Sequence, residues 1–244
     1  MKKLTVITPI LDSGEALENY LQANFGSKFN IEHTFISSGP ASVEGRFDSD
    51  LSVPDVLAKA SAAESSGSDA IIINCMLDPG LLACRELVSI PVIGVCEVAM
   101  HVASMLGRKF GVISPVPGQS VMEHLAEGYG LGNDLVSFSS VDIPVLNISE
   151  SEEVLAKALV KAAITMVRSN NLGVVVLGCT GFANCADLMR EGLLKEELDV
   201  QVINPLPLAI YFSDALLQSG LTHSKLIYPS PAVKLRVGFD IQGH

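Results

Sequence analysis

The stretch Ser68-Asp69-Ala70-Ile71-Ile72-Ile73-Asn74-Cys75 carries three isoleucines in a row, too apolar for a strand with one wet face. Alternating apolar and polar residues mark a half-buried strand. An unbroken β-branched run instead marks a strand covered on both faces, as in parallel sheets sandwiched by helices. The chain later repeats the pattern as Asn171-Leu172-Gly173-Val174-Val175-Val176-Leu177-Gly178-Cys179. Both runs stop at a cysteine.

Outward from these two runs the correspondence continues. Val92-Ile93-Gly94-Val95 answers to Val202-Ile203-Asn204-Pro205, and Thr5-Val6-Ile7-Thr8 entering Pro9 answers to Phe110-Gly111-Val112-Ile113-Ser114 entering Pro115. The offsets are 104, 110 and 106 residues, in one order along the chain. We read this as an internal duplication. Further strands are predicted over 4–10, 31–37 and 70–74. Helices are predicted over 14–21, over 53–65 (starting near Ser52 or Pro54), over 81–87, from about Glu97 to Leu106, and over 120–127. A loop over 38–48 carries Gly39, Pro40 and Gly45. Strand–helix alternation of this kind predicts an α/β fold with a largely parallel sheet.

Composition narrows the function. Lys and Arg number 16 against 27 Asp and Glu, a net charge of −11, with no basic cluster to attract a phosphate backbone. No nucleic-acid partner is expected. The apolar run from Leu4 to Leu11 is broken by Thr5, Thr8 and Pro9 and closed by Asp12, which suits a first buried strand better than a signal peptide. No apolar stretch reaches the roughly 18 residues of a membrane helix. A cytoplasmic protein without membrane contact is the expectation.

The five cysteines, Cys75, Cys84, Cys96, Cys179 and Cys185, include no CxxC pair, and the nearest histidine, His101, stands five residues beyond Cys96. Neither a disulfide framework nor a metal site is expected. Cys75 and Cys179 differ from the rest because each ends a buried parallel strand, and the carboxyl ends of such strands line ligand crevices. Two such thiols aimed at one space suit a racemase, which takes a proton from one face of a carbon and returns one to the other. A free cysteine of pKa about 8.5 is roughly 3% ionised at pH 7. A helix N-terminus contributes about 0.3–1 kcal/mol, up to about 2 when partly buried, which lowers that pKa by roughly 0.2–1.5 units. The thiol then approaches neutrality, where a general base works best. No cofactor is required if neighbouring carbonyls already activate the carbon.

At these residues the chain resembles the hydantoin racemase family. Asn74-Cys75-Met76-Leu77-Asp78-Pro79-Gly80 resembles the family's first cysteine segment with its Asp-Pro-Gly turn. Leu177-Gly178-Cys179-Thr180-Gly181-Phe182 resembles the second, which aspartate/glutamate racemases share more broadly. Arg85-Glu86, Pro91-Val92-Ile93-Gly94-Val95, Glu97, Ser38-Gly39-Pro40-Ala41-Ser42 and Asp48 also match the pattern. The resemblance implies two pseudo-symmetric lobes, each a mostly parallel sheet flanked by helices, with the active site between them. The first would comprise 1–98 plus 206–244 and the second 99–205. It implies Cys75 and Cys179 as the two bases. Substrate contacts would come from Pro9, Ser13, Ser114 and the main chain around Met76, Leu77, Thr180 and Gly181. It also implies a homo-oligomer acting on a small molecule, a 5-substituted hydantoin or a ureide such as allantoin.

One departure bears on the substrate. Where the family carries Asn-Pro-Asn-Thr, this chain has Thr8-Pro9-Ile10-Leu11, so two amides are missing. Related chemistry on small acids (amino-acid racemisation, maleate-type isomerisation, malonate decarboxylation) and a non-catalytic binding protein stay open on the sequence. Cys84 and Cys185 read as packing residues, and Cys96 as a strand-end residue that either packs or approaches the crevice. Asp78 reads as a cap for the following helix or a substrate contact, Glu97 as a cap or an orienting group, and His101 and His124 as exposed or locally satisfied. Gly178 and Gly181 read as backbone-geometry residues.

Overall fold

The computed structural model describes residues 1–11, 14–150 and 152–237. Packing divides the chain into two compact units, Met1–Gly94 with Ala209–His244, and Val95–Leu208.

The first unit is built on β1 (Lys3–Thr8), α1 (Ala16–Phe25), β2 (Asn30–Phe35), α2 (Arg46–Ser65), β3 (Ala70–Ile73), α3 (Leu81–Leu87) and β4 (Val92–Gly94). Its four strands are all parallel, in the order β2-β1-β3-β4. β3 is the Ala-Ile-Ile-Ile run, and all four residues are 0% exposed. One face packs Ile7, Ile71 and Ile73 against Val56 and Ala60 of α2 and Leu81 and Cys84 of α3. The apolar run is therefore continuous because both faces are covered.

The second unit carries α4 (Val95–Gly107), β5 (Phe110–Ser114), α5 (Gln119–Gly128), β6 (Leu135–Ser140), α6 (Glu152–Asn170), β7 (Val174–Leu177), α7 (Ala186–Lys195) and β8 (Gln201–Ile203). Its order, β6-β5-β7-β8, again all parallel, is the first unit's order displaced by four strands. The register repeats as well. Ile7 pairs with Ile73 in one sheet and Ile113 with Leu177 in the other, which places Pro9 and Cys75 just as Pro115 and Cys179 are placed. α8 (Pro205–Gln218) then leads back into the first unit, where Tyr211 packs on Phe25.

Several elements differ from expectation. α2 starts at Arg46, well before Ser52, and holds Pro54 in its interior. Proline removes one N–H bond, but Pro54 and Asp50, whose carbonyl loses its partner, are both exposed, so water can replace it. The first turns of α2 also show Phe47 and Leu51 to solvent, 75% and 51% exposed, which hides the helix from any search for a buried stripe. α4 begins directly at Val95, with Glu97 already in its first turn. β6 is an edge strand of sequence Leu-Val-Ser-Phe-Ser-Ser, too polar to read as a buried run. Among the described residues no helix is long and apolar enough to cross a membrane.

After α8 the chain fastens to the first unit. Thr222 Oγ1 donates to Ser89 O at 2.9 Å, and His223 Nε2 lies 3.0 Å from Val92 N. Lys225 Nζ donates to Arg85 O and Glu86 O at 2.9 and 2.8 Å, and the Arg85 guanidinium lies 5.7 Å from the Tyr228 ring centre.

Candidate functional site

In a parallel sheet of order 2-1-3-4, the strand order reverses between β1 and β3, and ligands bind outside the carboxyl ends at that point. In the first unit those ends carry Pro9 and Cys75; in the second, where β5 meets β7, they carry Pro115 and Cys179. Each cysteine follows one residue whose N–H binds the neighbouring strand. Asn74 N donates to Ile7 O at 2.8 Å, and Gly178 N to Ile113 O at 2.7 Å. Gly178 sits so close that a Cβ there would lie 2.7 Å from that carbonyl oxygen. A side chain at this position would force the β5 backbone to shift.

Cys75 and Cys179 are partly exposed, whereas Cys84, Cys96 and Cys185 are buried. Burial pushes the Cys84 thiol up to about 12, against a smaller lowering by the neighbouring Arg85 charge. Burial, aided by the Glu152 carboxylate, pushes the Cys185 thiol up to about 11. Such thiols are not ionised near neutrality, so both act as packing residues. Cys96 lies in the first turn of α4, 0% exposed, and fills core instead of approaching a crevice.

The Cys75 sulfur accepts the Leu77 N–H at 3.5 Å, and a tight turn follows. Asp78 N donates to Cys75 O at 3.0 Å and Leu81 N to Asp78 O at 3.2 Å, with Asp78 and Gly80 both left-handed at φ 45° and 72°. Asp78 was expected to cap α3. Its carboxylate instead lies over Gly94: a Cβ on Gly94 would be 2.5 Å from Asp78 Oδ2. Asp78 is buried, at 6% exposure.

Cys179 is the N-cap of a 3-10 turn over Thr180–Cys185, where Phe182 N donates to Cys179 O at 3.1 Å. Its Sγ leans over Gly181, 3.5 Å from where a Cβ would stand. Thus Cys179 heads a helical turn directly, while the Asp-Pro-Gly turn separates Cys75 from α3.

The remaining candidates fall beside these ends. Pro9 is buried, and Met76 is 3% exposed, so its side chain belongs to the core and only its main chain is available. Leu77 and Thr180 are half-buried and Gly181 is exposed. Ser114, 7% exposed, closes β5. Ser13 lies outside the described residues. His101 and His124 are exposed. Among the described residues no three His, Cys, Asp or Glu side chains gather as metal ligands.

A polar ladder across β3, β1 and β2 was not anticipated. Asn74 Nδ2 donates to Thr8 Oγ1 at 3.0 Å, and Thr8 Oγ1 lies 2.9 Å from His33 Nε2. The buried Asn74 Oδ1 has no hydrogen-bond partner among the described residues. Thr8 is therefore a hydrogen-bonded hub between His33 and Asn74, the residue before Cys75. Register alone brings these residues together, so sequence spacing gives no sign of it.

With this geometry in place, comparison with known proteins is informative. A family model described as Asp/Glu/Hydantoin racemase matches residues 12–211. A hydantoin racemase of Rhizobium meliloti is 33% identical over 86% of this chain and 88% of that protein. One from Pseudomonas sp. (strain NS671) is 31% identical over 97% and 94%. Among solved structures, allantoin racemase from Klebsiella pneumoniae superposes with a TM-score of 0.88 at 28% identity, covering 98% of this chain and 97% of that one.

Proposed function

Because the chain belongs to the Asp/Glu/hydantoin racemase family and is an isomerase, we propose that it racemises a 5-substituted hydantoin or a related ureide such as allantoin, with Cys75 and Cys179 as its two bases. One observation carries the reading. Of five cysteines, these two reach solvent, and they occupy equivalent strand ends of two sheets with one topology and one register.

The chemistry follows from the acidity of the ring carbon beside a carbonyl. One cysteine, as thiolate, removes the proton from one face, and the electron pair moves into the carbonyl, giving an enolate. Main-chain N–H groups of Met76, Thr180 and Gly181 supply hydrogen bonds to the developing oxyanion, while that of Leu77 bonds the Cys75 sulfur. The other cysteine, as thiol, delivers its proton to the opposite face and becomes the thiolate. Protons are conserved, and the two sulfurs exchange states at each turnover. The adjacent carbonyl supplies the activation that a cofactor would otherwise provide.

The test is isotope exchange in D2O with separate enantiomers of a hydantoin and of allantoin, with aspartate and maleate as comparison substrates. Cys75→Ser should suppress α-proton exchange of one enantiomer by several orders of magnitude more than the other, and Cys179→Ser should do the reverse. Equal exchange of both enantiomers in either variant refutes the two-base assignment. Turnover of maleate or aspartate with inert hydantoins refutes the substrate class.

A further inference from the structure

Two buried amides in this chain are satisfied on one side only. Among the described residues, Asn74 Oδ1 and Asn204 Oδ1 are the buried side-chain polar atoms without a hydrogen-bond partner. In each amide the nitrogen is engaged. Asn74 Nδ2 donates to Thr8 Oγ1 at 3.0 Å, and Asn204 Nδ2 donates to Ala183 O at 2.9 Å. A buried acceptor left without a donor costs stability, and an apolar side chain at either place would avoid that cost. What each amide adds is one nitrogen donor, and both donors act on the segment of a candidate base.

In the first unit, Asn74 ties the approach to Cys75 to β1 twice. Its N–H donates to Ile7 O at 2.8 Å, and its Nδ2 reaches Thr8, the next residue of the same strand. Thr8 Oγ1 lies 2.9 Å from His33 Nε2 on β2, so the side-chain tie spans three strands. In the second unit the main-chain bond recurs, from Gly178 N to Ile113 O at 2.7 Å, but Gly178 has no side chain to add to it. There the second tie comes after the cysteine. Asn204 follows β8, and its Nδ2 holds Ala183, four residues past Cys179 in the 3-10 turn that Cys179 heads. Each cysteine segment thus has one side-chain amide, placed before the cysteine in one unit and beyond it in the other.

We propose that Asn74 and Asn204 are positioning residues for the two bases, Asn74 for Cys75 and Asn204 for Cys179, each tying one cysteine segment to its own sheet. The inference rests on the two-base reading. Displacing a reacting group by about 1 Å costs on the order of 100-fold in rate. Loss of either tie therefore falls on kcat, and only on the half-reaction of the cysteine that the amide holds.

Variants that keep one base separate the two halves. With Cys179→Ser, Cys75 alone exchanges the α-proton of one enantiomer in D2O; with Cys75→Ser, Cys179 alone exchanges that of the other. The probe is allantoin or a 5-substituted hydantoin, whichever the wild type racemises. Adding Asn74→Ala should lower kcat for exchange by Cys75 on the order of 10- to 100-fold, with KM little changed. It should leave exchange by Cys179 within about twofold. Asn204→Ala should do the reverse. Thr8→Val, which removes the acceptor for Asn74 Nδ2, stands in if Asn74→Ala misfolds. Asn204→Asp, which keeps the size but sets an oxygen against Ala183 O, serves likewise for Asn204→Ala. Thr8→Ser keeps the hydroxyl and should preserve exchange by Cys75. An asparagine variant that depresses both halves equally, or spares the half assigned to it, overturns the proposal. If the two serine variants exchange neither enantiomer, or both alike, the two-base reading falls and this inference falls with it.

Discussion

Alkylation of the native protein distinguishes its five thiols by a margin the structure sets. Only the thiolate reacts, so rate follows ionised fraction and access. With a pKa of about 12, Cys84 is about one ten-thousandth ionised at pH 8, against about one quarter for a free cysteine of pKa about 8.5. Ionisation alone therefore slows Cys84 by about 2,000-fold relative to a free thiol. Cys185, at about 11, is slowed by about 200-fold on the same basis. Their exposures of 0% and 1% add a further barrier, because reaction requires opening of the core. Timed iodoacetamide labelling at pH 8, followed by peptide mass spectrometry, should modify Cys75 and Cys179 first. The same reagent in concentrated urea should modify all five. Labelling of Cys84 or Cys185 within tenfold of the rate at Cys75 or Cys179 would refute the division into two accessible and three packing thiols.

Two further outcomes follow from the same contacts. The folded-state pKa of Cys84 is raised from 9.0 to about 12, so its stabilising contribution is fully present below pH 9 and is lost as pH rises toward 12. Urea unfolding at pH 8 and pH 10 should show the wild type losing about 1 kcal/mol more than Cys84→Ala over that interval; equal losses would count against it. Gly94→Ala forces a Cβ to within 2.5 Å of Asp78 Oδ2 and 2.6 Å of Leu81 Cδ2. Overpacking of this kind costs about 1–3 kcal/mol, at about 2–4 °C per kcal/mol in a chain of this size. A melting temperature lowered by several degrees is expected, with a loss of activity through the displaced Cys75–Gly80 turn. An unchanged melting curve would show that the Asp78 carboxylate is not held against Gly94.

Legibility in the sequence followed the range of the interactions involved. The Ala70–Ile73 strand and the Leu81–Leu87 helix were readable because burial on both faces and a Pro-Gly turn leave local marks. The strand-end position of Cys75 and Cys179 was readable for the same reason. Pro54 misled because proline favours a helix's first turn, whereas here an exposed interior position tolerates it. The partnership of Asp78 with Gly94 and the Asn74–Thr8–His33 ladder were not readable, since both depend on which strands lie side by side. Parallel strands are joined by long crossovers, so which of them become neighbours is decided by tertiary packing and not by short-range pattern.

The two strand ends share a frame but not their furnishings. Asn74 precedes one cysteine and a bare glycine, Gly178, the other; Gly94 occupies the β4 position whose counterpart is Asn204. On the proposed reaction, such unlike surroundings give the enzyme two handed resting forms, each primed to accept one mirror image. Mirror-image substrates are equal in free energy, so catalytic efficiency must balance between the two directions. Turnover number and Michaelis constant are bound only as a ratio, and each direction is free to trade one against the other.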